Sequence, residues 1–203
     1  MIHVNSHSVR VKWTRPEEDS SIGTVLDKVL VKTGDERHEI PEAQLEFTLD
    51  AYAGQKYLLE LVAIFENGLQ SLPKVINVTT APEIATPTVR DRGFDSAALQ
   101  WRTHPDINEY QIYRIDKTER GKSRLQEVLW HGVDEVAEID GLEPNTEYTL
   151  ALIGYVENGV TNTEEVSFHT RLQTPEFNRR ATKIGIKNIL LSWNSIKRTQ
   201  GFR

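Results

Sequence analysis

Three short segments of this chain end in tryptophan at matching places: Val9-Arg10-Val11-Lys12-Trp13, Ala97-Ala98-Leu99-Gln100-Trp101 and Ile189-Leu190-Leu191-Ser192-Trp193. They recur about every 90 residues, too long a period for a solenoid and suited to a tandem of small β domains. In the first segment Val9, Val11 and Trp13 alternate with Arg10 and Lys12, the pattern of a strand with one buried and one wet face. A second block repeats at the same spacing. Tyr57, Leu59, Leu61 and Ala63 followed by Glu66-Asn67-Gly68 align with Tyr148, Leu150, Leu152, Gly154 and Glu157-Asn158-Gly159. Asn-Gly after an alternating run is a strong hairpin signal, so both copies are expected to turn there and to fix the register of their last two strands.

Short strands fill the space between these markers. In the first copy Val25–Val31, Leu45–Leu49, Tyr57–Phe65 and Val75–Val78 read as strands, separated by a polar Pro16–Gly23 loop and turns at Thr33-Gly34-Asp35 and Ala53-Gly54-Gln55. The second copy repeats the order through Tyr110–Ile115, Val128–Trp130, Val136–Ile139 and Val166–Thr170, with a charged turn at Asp116–Ser123. No long 3.6-residue periodicity interrupts them, so the expected class is all-β, as tandem antiparallel sandwiches. The expected domains are 1–81 with its first strand short or missing, 82–171, and the start of a third at 172–203. Two prolines, Pro82 and Pro87, make a short, semi-rigid junction between the first two. Phe202 follows Trp193 as Tyr110 follows Trp101, so the chain is expected to be a segment of a longer array.

The order of strand and tryptophan, then Tyr110-x-Ile112-Tyr113, then Leu142-x-Pro144-x-Thr146-x-Tyr148 with alternating apolar residues, resembles fibronectin type III. The resemblance covers essentially the whole chain and implies a tryptophan in the core and a tyrosine that bonds back to the backbone of the preceding turn. On that basis Trp13, Trp101, Trp193, Tyr57 and Tyr148 are expected as structural core residues. The first copy departs from the pattern: Ala51 stands in place of Leu142 and no proline follows it. Trp130 has no counterpart in the first copy. It is either an exposed contact or a side chain packed under the Asp116–Ser123 loop.

Little in the sequence carries chemistry. Cysteine is absent, which removes disulfides, thiolate nucleophiles and cysteine-based metal sites. His3 and His7 are too far apart on a strand to share an ion, and His38, His104, His131 and His169 fall in separate elements. The acidic groups Glu17-Glu18-Asp19, Asp91 with Asp95, and Glu164-Glu165 read as solvated loops, since a filled sandwich offers no cleft for a glycosidase pair. No cofactor, no metal and no catalytic residue is expected. The sequon Asn77-Val78-Thr79 reads as a chance occurrence.

Twenty-four basic against 30 acidic residues give a net charge of −6, which argues against a phosphate-backbone partner. The cations of Lys117, Arg120, Lys122 and Arg124 alternate with Glu119 in a turn, and Arg179-Arg180 with Lys183 and Lys187 is too short a patch to indicate nucleic acid. No apolar run approaches a membrane span, so no membrane insertion is expected, and no secretory signal is visible. The expected function is a non-enzymatic structural and protein-interaction array whose partners are other protein subunits of a larger assembly, with cell-surface carbohydrate as a further partner. The leading setting is a virion, as a phage tail, fibre or decoration component. The alternative is a spacer in a secreted bacterial carbohydrate-active enzyme or a cell-surface adhesin, which places the chain outside the cell or on its surface.

Overall fold

A computed structural model of the chain describes residues 1–16, 25–117, 123–176, 183–184 and 186–193. These residues form strands joined by turns, and contacts divide the chain into two compact units. The first holds Met1–Ala85 with 103–110 and 153–163; the second holds 86–102, 111–152 and 164 onwards.

In the first unit, β1 (Ile2–Val4), β2 (Ser8–Lys12) and β5 (Glu46–Asp50) lie side by side in that order. A four-stranded sheet opposes them: β4 (Glu36–Pro41), β3 (Leu26–Thr33), β6 (Lys56–Phe65) and β7 (Lys74–Thr79). All these neighbours pair antiparallel. The alternation of β2 decides which face is dry: Val9 and Val11 are buried while Arg10 and Lys12 are exposed. Val4, Val9, Val11, Phe47 and Leu49 from the three strands meet Leu26, Val29, Val31, Ile40, Leu59, Leu61 and Val78 from the four in one apolar cluster. Three antiparallel strands packed on four is the fibronectin type III arrangement. The first strand of this copy is present and short, at three residues.

The second unit repeats the plan. β8 (Thr88–Arg92), β9 (Ala97–Gln100) and β12 (Val136–Ile139) form a sheet with β9 in the middle, and β11 (Ser123–Gly132), β10 (Glu109–Lys117), β13 (Glu147–Val156) and β14 (Gly159–His169) follow one another in a second, the second unit holding 111–117, 147–152 and 164–169 of the last three. Ala97, Leu99, Ala137 and Ile139 from the first sheet are buried, as are Ile112, Leu150, Leu152 and Phe168 from the second.

Both Asn-Gly sites turn the chain as expected, in two different ways. A type I′ turn needs positive φ at both central residues, and Asn145 is the sole non-glycine residue with positive φ among the described residues. At the first site Gly68 alone is left-handed (φ 80°), with Gly68 N–H donating to the Phe65 carbonyl at 2.8 Å and Phe65 N–H to that of Leu69 at 3.0 Å. This is a three-residue loop with a glycine bulge. At the second site the connection is Glu157-Asn158, and Gly159 already belongs to β14. Its glycine serves a close approach instead: within the first unit Val4 N–H donates to the Asn158 carbonyl at 2.9 Å, and a Cβ on Gly159 would overlap the Val4 carbonyl oxygen.

Pro82–Ile84 of the expected junction is anchored within the first unit. Ile84 is buried, and its N–H and carbonyl pair with the side-chain amide of Asn162 at 2.8 and 3.1 Å. Ser6 is fully buried yet satisfied, donating to the Pro82 carbonyl and accepting the Asn162 N–H, both at 2.8 Å.

A third strand–tryptophan segment survives as a small hairpin of β15 (Lys183–Ile184) and β16 (Ile189–Leu190). Trp193, expected in a core, is 43% exposed, and Ile184, Ile189 and Leu190 are exposed as well. An isolated two-stranded ribbon buries little of either face.

Tyr110 supplies a pH test of the first unit. It is 1% exposed, and its hydroxyl accepts the His104 N–H at 2.7 Å. Burial raises its pKa, opposed by that hydrogen bond. A raised folded-state value means the neutral phenol stabilises the fold below the unfolded value near 10, and that contribution is lost as pH rises through the folded value. The urea midpoint should therefore stay level through mildly alkaline pH and fall above about pH 10, with a smaller alkaline slope in Tyr110→Phe.

Candidate functional site

The most elaborate polar constellation in each unit is structural, and it is built twice. Tyr148 is buried at the start of β13, and its hydroxyl accepts the Glu143 N–H at 2.8 Å. Tyr57 at the start of β6 does the same with the Tyr52 N–H, also at 2.8 Å. Both units therefore have the tyrosine corner, including the first, where the Leu-x-Pro turn is lacking.

A threonine at the end of each last strand completes the device. Thr170, 4% exposed, donates to the Glu143 carbonyl at 2.6 Å and accepts the Thr146 N–H at 3.0 Å. Thr80, 2% exposed, donates to the Tyr52 carbonyl at 2.6 Å and accepts the Gln55 N–H at 2.9 Å. Backbone bonds reinforce both: Thr170 N–H to Thr146 and Asn145 N–H to Arg171 in one unit, Thr80 N–H to Gln55 and Gly54 N–H to Ala81 in the other. The turn in between needs one left-handed residue. Gly54 (φ 65°) fills it in the first unit and Asn145 (φ 49°) in the second, the two residue types that enter this region most readily.

The remaining expected core residues are placed unequally. Trp101 is 6% exposed. Trp13 is half-buried and packs against the first unit's core, with its indole Nε1 buried and lacking a hydrogen-bond acceptor among the described residues. Trp130 is half-buried on β11, edge-on to Trp101 with ring centroids 5.3 Å apart and planes at 73°. A Cβ on Gly132 would meet the Trp130 ring at 2.8 Å, so that glycine leaves the ring its place. Trp130 thus covers Trp101 and keeps part of its surface open; of the Asp116–Ser123 loop considered as its cover, Asp116 and Lys117 end β10, Ser123 opens β11, and 118–122 lie outside the described residues. The Tyr148 ring also has close neighbours: the Arg114 guanidinium lies over it at 5.5 Å and Phe168 stacks with it at 6.1 Å between centroids.

No group of three or more His, Asp or Glu that could hold a metal occurs among the described residues. His7, His38 and His104 each sit near one carboxylate, of Glu83, Glu36 and Asp106 at 3.3 to 3.8 Å. Open depressions on the first unit are lined by Tyr52, Lys56, Tyr57, Leu58 and Asn77, side chains of a sheet surface and its turn. No described helix is long and apolar enough to cross a membrane.

No family model matches the chain. It is 26% identical over 145 residues to Tenascin-R of Gallus gallus, which covers 67% of this chain; the chain spans about a tenth of that relative. Among solved structures it is similar to the chicken CNTN1 FN1-FN3 domains, at 14% identity and a TM-score of 0.44 over 84% of this chain and 63% of that one. It is also similar to a two fibronectin type III domain segment from chicken tenascin, at 17% identity and a TM-score of 0.38 over 84% of this chain and 97% of that one.

Thr170→Val keeps the shape of the side chain and removes its hydroxyl, leaving the Thr146 N–H and Glu143 carbonyl without that partner. It should cost about 1–3 kcal/mol in urea denaturation, and Thr80→Val should match it in the first unit. Tyr148→Phe should cost about 1 kcal/mol, and the Tyr148→Phe/Thr170→Val pair should be non-additive, because both hydroxyls hold Glu143.

Proposed function

From a chain built as successive sandwiches of fibronectin type III fold, we propose a non-enzymatic module array that spaces and presents protein-binding surfaces within a larger assembly. The observation that supports it most is the twice-built threonine–tyrosine clamp. The polar residues with the most elaborate bonding among those described hold turns in place and none is arranged around a substrate. We assign one module to 1–81, a second to 82–171 and the beginning of a third to 172–203. The exposed apolar faces of Ile184, Ile189 and Leu190 support the third assignment, since a sheet completed by further strands would cover them.

Trp130 is the contact we favour on the second module. It lies on β11, the outer strand of its sheet, in a run that also exposes Leu125 and Val128. Aromatic side chains that are half-open and rigidly backed are common anchors of protein interfaces.

The assembly we favour is a virion, as a tail, fibre or decoration part, because a disulfide-free tandem of such modules needs no oxidising compartment to fold. The alternative is a spacer in a secreted carbohydrate-active enzyme or an adhesin at the cell surface, with carbohydrate as a further partner.

Quantitative proteomics of purified particles from the source, against its secreted fraction, separates the two settings. Fixed stoichiometry with particle subunits is expected; recovery only in the secreted fraction, attached to a polysaccharide-cleaving domain, would overturn the virion setting. Cross-linking within the intact particle should map partner peptides next to β11, and Trp130→Ala should deplete those cross-links.

A further inference from the structure

The two Asn-Gly dipeptides share a sequence and differ in setting. Asn67 is exposed at the tip of the first unit's hairpin, and its side-chain Oδ1 accepts the Leu69 N–H at 3.0 Å. The next nitrogen along the chain, that of Gly68, donates its N–H to the Phe65 carbonyl, a bond that opens before the nitrogen gives up its proton, and nothing lies within 4 Å of where a Cβ on Gly68 would stand. Asn158 is exposed too, but its carbonyl is held by the Val4 N–H at 2.9 Å, and the Val4 carbonyl fills the space beside Gly159. The peptide unit between Asn158 and Gly159 cannot turn without breaking that contact.

We propose that Asn67-Gly68 is a site of spontaneous covalent modification, in which the backbone converts the asparagine to aspartate and isoaspartate. The Gly68 nitrogen, having lost its proton to hydroxide, attacks Asn67 Cγ and forms a new C–N bond. The side-chain nitrogen leaves as ammonia after taking a proton from solvent, and a five-membered succinimide remains. Water then adds to either imide carbonyl and breaks one C–N bond, giving aspartate or isoaspartate. The net change is asparagine plus water to a carboxylate plus ammonium. Negative charge develops on Oδ1 during the attack, where the Leu69 N–H already donates, so a fixed backbone donor stabilises the intermediate. Adjacency of Gly68 N and Asn67 Cγ along the chain makes the step intramolecular.

The product alters a defined surface. Isoaspartate adds a methylene to the main chain where Phe65 and Leu69 close the hairpin, and either product places a negative charge beside Leu69, which is 58% exposed.

The test is peptide mapping by mass spectrometry of the full chain aged at mildly alkaline pH. The peptide containing Asn67 should lose ammonia and then gain the acid forms several-fold faster than the peptide containing Asn158, and the two rates should converge when the chain is aged in denaturant. Equal rates in the folded chain, or faster conversion at Asn158, would overturn the proposal. Asn67→Gln lengthens the side chain past five-membered closure. It should abolish the succinimide at that position and leave the rate at Asn158 unchanged; undiminished succinimide at Gly68 would also overturn it.

Discussion

A buried hydroxyl at the end of each last strand holds the rest of the sandwich to its turn. Thr80 and Thr170 each donate to one carbonyl and accept one N–H from the turn that precedes the tyrosine strand. Both threonines are almost wholly buried, so water cannot replace those bonds, and an unpaired backbone group there would carry its full desolvation cost. The tyrosine ring comes from the following strand, and its hydroxyl takes the N–H at the start of the same turn. The turn is therefore fixed at both ends, and the direction in which β6 and β13 enter their sheets is set with it. The apolar alternation of those strands then buries Leu59, Leu61, Leu150 and Leu152 against the opposite sheet.

Much of this was legible. The spacing of Trp13, Trp101 and Trp193, with Tyr57 matching Tyr148, points to repeated antiparallel sandwiches, because apolar periodicity reports which face of a strand is dry. The threonines were not legible as clamps. A threonine at a strand end is chemically indistinct in sequence, and its importance comes from partners about 25 residues away in each unit. One signal was available: Thr80 and Thr170 keep the repeat's spacing, as do Gly54 and Asn145, two residue types that share little except tolerance of left-handed backbone.

Other features depend on neighbours that the local sequence does not carry. Both Asn-Gly sites turn the chain, but in different ways, since glycine can answer either to a left-handed φ, as at Gly68, or to a neighbouring backbone that leaves no space for a Cβ, as at Gly159. Sequence alone does not separate these uses. Trp193 carried the same local pattern as Trp101, but burial depends on the opposite sheet and not on the strand that bears the ring. Trp130, unmatched in the first copy, turned out to cover Trp101 edge-on, a contact between elements that periodicity does not report.

Amide hydrogen exchange on the native chain tests the clamp most directly. Tyr52 and Glu143 are exposed residues in turns, positions that ordinarily exchange fast, yet each N–H is given to a tyrosine hydroxyl at 2.8 Å. If the clamp organises both units, these two amides should exchange as slowly as neighbouring strand amides, together with those of Gln55 and Thr146. Exchange at the rate of an unstructured turn at Tyr52 and Glu143 would contradict the account.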